Sequence, residues 1–186
     1  MSNRAAAGRS EPLWSWLTPS LLLLGAMAVW GVLRYPELPD RVPEHIGPER
    51  VDAWTAKSVG AAFVPVFVYA GITVVLAGCA ALSTHIRPLN EMPASASRRP
   101  GATNALTNRP ASAASGRRTA RALLIMNALC GAALLPLCWI QWRTPETAEV
   151  PAWLLPGTLE LFLLGLVPMA VAWWQDAAEK KAARTA

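Results

Sequence analysis

Four side chains that could bind a metal ion or transfer a proton lie close together in a proline-rich stretch, residues 34–58: Glu44, His45, Glu49 and Asp52. Imidazole and carboxylate groups can ligate zinc, but this spacing matches no ligand motif such as HExxH. The stretch has no Ser or Cys before Ser58, and nothing near Thr55 would activate its hydroxyl group. We therefore predict no metal site, no cofactor and no enzymatic activity, and we interpret His45 as part of a recognition or folding motif.

One further ionisable residue, Glu160, lies inside an apolar run, seven residues after Trp153. At about 1.5 Å per residue, a helix would place it roughly 10 Å below the level of that tryptophan. Carboxylates at such a depth usually face the interior of a helix bundle and often mark an ion or substrate route. Alternatively, a kink at Pro156 would lift the side chain toward the membrane surface, where a carboxylate is ordinary. Glu160 is therefore a candidate functional residue within the membrane.

The three cysteines, Cys79, Cys130 and Cys138, also lie inside apolar runs. A disulfide framework or a zinc cluster would place cysteines in the loops instead. We interpret them as small apolar packing residues.

The elements that must carry these residues are four apolar runs, residues 14–33, 59–82, 122–142 and 153–174. The chain is 53% hydrophobic and only 16% charged, against roughly 25% charged residues in a typical soluble domain. Each run is long enough for a helix to cross the roughly 30 Å hydrocarbon core of a bilayer. Most of the nine tryptophans lie near the ends of the runs, where their rings favour the headgroup level. The sequence predicts an all-α polytopic membrane protein with four transmembrane helices.

The distribution of basic residues predicts the orientation of these helices. Twelve Lys and Arg residues lie in the two termini and the middle loop, against five in the other two connections. By the positive-inside rule, both termini are then cytoplasmic and the protein is N-in/C-in in the plasma membrane, with lipid as its surroundings. The sequence pI of about 9.6 follows from this bias, so it requires no nucleic-acid partner.

This topology divides the chain into five segments. Residues 1–13 form a cytoplasmic tail, 14–82 a first transmembrane hairpin, 83–121 a disordered basic cytoplasmic loop, 122–174 a second transmembrane hairpin and 175–186 a basic cytoplasmic tail. The extracytoplasmic loop 34–58 lies within the first hairpin. Its four prolines each fix φ near −65° and favour an extended residue before them. We therefore expect a stiff segment that lies along the membrane surface.

A motif in this loop resembles the signature of the domain of unknown function 1648. The motif consists of Leu38, Pro39, Pro43, His45, Asp52, Trp54 and Lys57. The usual form is similar to LPxxIPxHFNxxGxxDxWxxK, whereas this chain reads LPDRVPEHIGPERVDAWTAK, with one residue fewer before the aspartate. The domain also occurs in bacterial membrane proteins similar to the SdpI-type immunity protein. The resemblance covers roughly residues 15–80 and implies an integral membrane protein without established catalytic residues.

Two functional hypotheses follow. The first is a non-enzymatic membrane protein with an immunity-like or envelope-stress role, whose outer loop presents His45, Asp52, Trp54 and Lys57 to a peptide toxin or another membrane protein. The second is a small transporter, or a transporter subunit, that uses Glu160 as a protonatable site. The sequence sets neither the ligand nor the oligomeric state.

Overall fold

The computed structural model of the protein describes residues 13–92, 109–143 and 148–185. Its helices are α1 (Thr18–Arg34), α2 (Val59–Ala62), α3 (Val64–His85), α4 (Ala113–Gln141) and α5 (Leu154–Thr185). Short 3₁₀ helices span Leu13–Leu17, Tyr35–Glu37 and Leu89–Glu91. Between α1 and α2, strands β1 (Arg41–Ile46) and β2 (Val51–Ala56) form an antiparallel pair.

Helices α1, α3, α4 and α5 are long and apolar enough to cross a membrane. Their outward faces expose large apolar side chains, such as Leu22 on α1 and Val74 on α3, which suits helices surrounded by lipid. Two of the prolines, Pro19 and Pro65, lie in the first turns of α1 and α3, where the missing N–H has no intrahelical partner to lose. The structure thus confirms the predicted all-α membrane fold with four spans.

Helix α4 forms the centre of the bundle. Half of its most apolar stretch is buried, against 17–22% for the other three spans, and α1, α3 and α5 all pack against it. Glycine allows these close contacts. A Cβ atom on Gly131 would overlap the ring and hydroxyl of Tyr69 on α3, and one on Gly116 would lie 2.6 Å from the carbonyl oxygen of Ser83. Larger residues at these two positions would push α3 away from α4.

The end of the bundle where α4 begins is called the basic end here, after Arg117, Arg118, Arg121, Lys180 and Lys181. Ser112 caps α4 by accepting a hydrogen bond from the Ser115 N–H at 3.1 Å.

Two carboxylates of α5 also bind the start of α4. Asp176 accepts hydrogen bonds from the Ala111 N–H at 2.7 Å and from the Ser115 hydroxyl. Glu179 accepts from the Ser112 hydroxyl and from Arg118. These carboxylates suit the positive end of the α4 dipole.

The structure therefore corrects the predicted disordered loop 83–121 at both ends. Helix α3 continues to His85 and α4 begins at Ala113, because α5 supplies partners for the start of α4 that the local sequence does not reveal. Residues 93–108 of this loop lie outside the described part of the chain. The predicted tail 175–186 is likewise helical as far as Thr185, as a continuation of α5.

The loop predicted to be stiff and extended is extended, but it is also paired. Within the register of β1 and β2, Val42 lies opposite Thr55 and Pro43 opposite Trp54. The prolines favour the extended conformation. The pairing depends on contacts between the two strands, which the positions of the prolines do not predict. The end of the bundle that carries this β-hairpin is called the hairpin end.

Candidate functional site

The β-hairpin is fastened to the bundle by the last turn of α4. The buried side chain of Gln141 donates hydrogen bonds to the carbonyl oxygens of Pro43, at 2.9 Å, and Ala61, at 3.0 Å. The indole N–H of Trp142, only 2% exposed, donates to the carbonyl oxygen of Ala62 at 2.8 Å. One turn of α4 therefore fixes both β1 and α2. Sequence reasoning missed this role, although a glutamine at the end of an apolar run was a visible signal.

A second attachment joins the hairpin turn to the segment before α5. The Val51 N–H donates to the carbonyl oxygen of Ala148 at 2.7 Å, and the Val150 N–H donates to that of Glu49 at 3.0 Å. Val51 and Val150 are both buried, in a small apolar cluster with Ile140 and Leu154. The hairpin is thus held from both halves of the chain and has little freedom to move as a loop.

Most of the motif residues serve this attachment. Leu38 and Pro43 are buried, Pro39 is half-buried, and Trp54 packs against the apolar cluster of Val51 and its neighbours. Lys57 closes the base of the hairpin, because its ammonium group donates to the Leu38 carbonyl oxygen at 2.7 Å. The same group lies 5.5 Å from the centroid of the Tyr35 ring. Lys57 and Trp54, which we expected to face a partner, are engaged within the chain.

His45 and Asp52 are the motif residues that face outward. Nδ1 of His45 lies 3.0 Å from a carboxylate oxygen of Asp52, and the two side chains are 69% and 47% exposed. Ala53 pairs with His45 and Val51 pairs with Ile46, so Asp52 is the extra residue of a β-bulge. Bulges re-aim side chains, and this one allows Asp52 to reach across to the histidine.

Gly47, in the turn, makes room for the Asp52 carboxylate. A Cβ atom on Gly47 would lie 3.0 Å from each carboxylate oxygen of Asp52 and 2.9 Å from the carbonyl oxygen of Arg50. Any other residue would displace the carboxylate from its place beside His45. Sequence reasoning did not select Gly47 as a site residue, and its only signal was a glycine between the histidine and the aspartate.

The hydrogen bond from His45 lowers the pKa of the Asp52 carboxyl below its usual value, and partial desolvation opposes only part of this effect. Asp52 is therefore ionised at neutral pH and accepts a hydrogen bond from the Nδ1–H group of His45. Nε2 then lies on the far side of the ring, where it accepts a hydrogen bond when the imidazole is neutral and donates one when it is charged. The pair can bind a polar group on another molecule.

The structure places Glu160 on the outward surface of α5, where it is exposed. This differs from the expectation that the side chain faces the interior of the bundle. It is far along the chain from His45 and Asp52, and the fold does not bring them together in one described site. Within the described residues, no group of three His, Cys, Asp or Glu side chains is placed to hold a metal ion.

A family model described as Domain of unknown function (DUF1648) matches residues 22–68. The matched segment starts within α1, includes the β-hairpin and α2, and ends after the first turn of α3. The match confirms the resemblance indicated by the hairpin motif. No curated protein and no solved structure matches the chain.

Proposed function

Because residues 22–68 form a domain of unknown function 1648, we propose that this membrane protein uses its β-hairpin to recognise a peptide at the membrane surface. The specific role that we infer is immunity-like or related to envelope stress, and non-enzymatic. The observation that carries the proposal is the outward-facing His45–Asp52 pair on a hairpin that is otherwise fastened to the bundle. The positive-inside rule assigns the hairpin to the extracytoplasmic side of the plasma membrane.

The division of labour within the motif supports recognition over a purely structural role. Leu38, Pro43 and Lys57 stabilise the hairpin from within, so the fold accounts for them. The fold gives no comparable reason for a histidine and an aspartate to meet on an exposed surface, where an ion pair contributes little stability. A partner that accepts a hydrogen bond from the imidazole, or donates one to the carboxylate, does give such a reason.

The rigid mounting also favours binding. A partner that orders a flexible loop loses affinity to the entropy of that loop. Here Gln141 and the Ala148–Val51 hydrogen bond hold the strands before any partner arrives. A short peptide of a membrane-active toxin can then bind with few contacts, which suits a site of only two exposed polar groups.

A strain that lacks the protein provides the test. It is complemented with the wild type, His45→Ala, Asp52→Asn or Glu44→Gln, and each strain is challenged with membrane-active peptide toxins. Glu44 is exposed on the same strand and serves as the matched control. We expect the deletion to be sensitive to at least one toxin, and only the wild type and Glu44→Gln to restore protection.

Equal survival of the deletion strain and the wild type across the toxins would refute the immunity-like role. Full protection by His45→Ala and Asp52→Asn, at wild-type protein levels in the membrane, would refute the role of the pair. A transporter that uses Glu160 has less support, because this side chain is exposed on the outer surface of α5. Loss of a substrate flux in Glu160→Gln, with protection intact, would favour that alternative.

A further inference from the structure

Helix α5 presents Glu160 on the face that points away from the rest of the bundle. The buried residues of the helix, among them Thr158, Gly165 and Ala172, form one stripe, and Gly165 packs against Met126 and Leu129 of α4. The opposite stripe is exposed. It carries Glu160 and, at helical spacing, Leu163, Leu164 and Val167.

The depth of Glu160 follows from the tryptophans at the hairpin end. Trp139 and Trp153 stack there with ring centroids 6.4 Å apart, and such rings favour the headgroup level. Glu160 lies seven residues further along α5, which is roughly 10 Å deeper. Ionisable groups at such a depth almost always face the interior of a bundle. A single copy of the chain leaves Glu160 exposed, so a larger assembly would have to supply the interior that it faces.

We propose that this face of α5 packs against the same face of a second copy of the chain, and that the two Glu160 carboxyl groups are protonated and hydrogen-bonded to each other. A two-fold axis along the membrane normal places each residue opposite its own copy at the same depth. A protonated carboxyl group has one donor and acceptor oxygens, so it is its own complement across such an axis.

The composition of the chain favours a second copy over an ion pair. Among the described residues, every lysine and arginine lies in the hairpin region, next to it, or toward the basic end, and none shares the depth of Glu160. Within the described residues, no cation is therefore placed to pair with the carboxylate, whereas Glu160 of a second copy lies at the same depth.

The surface around the carboxyl group has a suitable shape. A shallow groove runs along this face, lined by Pro156, Leu159, Glu160, Leu163, Leu164 and Val167. Apart from Glu160, all of these residues are apolar, so the carboxyl pair would be enclosed by apolar contacts on both sides. Association in lipid depends on such packing together with hydrogen bonds between helices. The dimer does not depend on the recognition role of His45 and Asp52.

Disulfide crosslinking of the full-length protein in lipid vesicles tests the proposal. In a variant whose native cysteines, all free in the structure, are replaced by alanine, a cysteine is introduced as Leu164→Cys or as Val74→Cys. Each position lies ten residues after the start of its helix, and the side chains are 52% and 73% exposed. We expect about fivefold more crosslinked dimer, or more, from the α5 position than from the α3 position, because only the α5 position lies in the proposed interface.

The role of Glu160 is tested in the same Leu164→Cys background. Glu160→Leu should weaken association about tenfold, whereas Glu160→Gln should retain most of it, because two carboxamides also hydrogen-bond to each other. Counting subunits by photobleaching of labelled protein gives a second readout. Monomers in dilute vesicles, equal crosslinking from both positions, or unchanged dimer in Glu160→Leu would each overturn the proposal. In cell membranes, crosslinking of the α5 cysteine to a different protein in place of a second copy would overturn it as well.

Discussion

At the hairpin end of the bundle α4 is held by neutral hydrogen bonds, whereas at the basic end it is held by carboxylates. Gln141 and Trp142 reach the carbonyl oxygens of β1 and α2. Asp176 and Glu179 instead accept hydrogen bonds at the start of α4. The start of a helix offers free N–H groups and the positive end of a dipole, so acidic partners suit it. The comparison shows that one helix can be fixed at its two ends by different chemistry. Added salt should therefore weaken the charged contacts at the basic end and leave the neutral hydrogen bonds at the hairpin end unchanged.

The largest effect that we expect is at the hairpin end, in Trp142→Ala. Trp142 is buried, packs edge-on against Trp30 at 5.3 Å between ring centroids, and bonds the Ala62 carbonyl oxygen. Removing a buried aromatic side chain costs about 3–5 kcal/mol of unfolding free energy, which equilibrium unfolding in detergent micelles would measure. Trp139→Ala is the control, because Trp139 is 42% exposed on the same turn region of α4. Equal losses in both variants would contradict the anchoring role.

A smaller loss should follow from Gln141→Leu, which keeps the side-chain volume but leaves two carbonyl groups without their donor. We expect about 1–3 kcal/mol of destabilisation. Hydrogen exchange should increase at the amides that pair β1 with β2, since the hairpin loses its attachment, and remain unchanged in the middle of α3. Uniform acceleration across the whole protein would show that Gln141 does not act on the hairpin specifically.

At the basic end, Asp176→Asn should cost about 1 kcal/mol in low salt. The asparagine can still accept from the Ala111 N–H, but it loses the charge beside Lys180, whose ammonium lies 2.5 Å from the carboxylate. Salt screens partly exposed charges, so the difference from wild type should shrink in 1 M salt, whereas that of Gln141→Leu should not. If both variants respond equally to salt, the proposed difference between the two ends is wrong.

The smallest effect concerns the pH dependence of the exposed pair. Because the folded-state pKa of Asp52 is lowered, the pair stabilises the fold above the ordinary carboxyl pKa of about 4 and this contribution is lost as pH falls through the lowered pKa. His45→Ala should raise the pKa of Asp52 toward its ordinary value, as followed by NMR titration of its carboxyl carbon. Glu44→Ala should leave it unchanged. An unshifted pKa in His45→Ala would show that the histidine does not hold the carboxylate.

The two candidate sites differed in how far the sequence could predict them. The motif identified His45 and Asp52, but it also suggested that Trp54 and Lys57 face a partner. The structure engages both within the chain, because the Leu38 carbonyl oxygen lies beside the Lys57 ammonium only after the two strands pair. For Glu160, hydropathy gave the depth but not the direction. That direction depends on which stripe of α5 packs on α4, and nearly every position of α5 between residues 154 and 174 is apolar.

The sequence by itself determined that this is a four-span membrane protein whose proline-rich connection resembles the domain of unknown function 1648, because the length and apolarity of each run are local properties of the chain. Tertiary structure alone decided that α4 is central, that Gln141 and Trp142 fasten the hairpin, and that Asp176 and Glu179 cap α4. These outcomes depend on partners 61 to 98 residues apart in the sequence. No local pattern encodes such contacts, since each residue acquires its role from the surface that the fold brings to it.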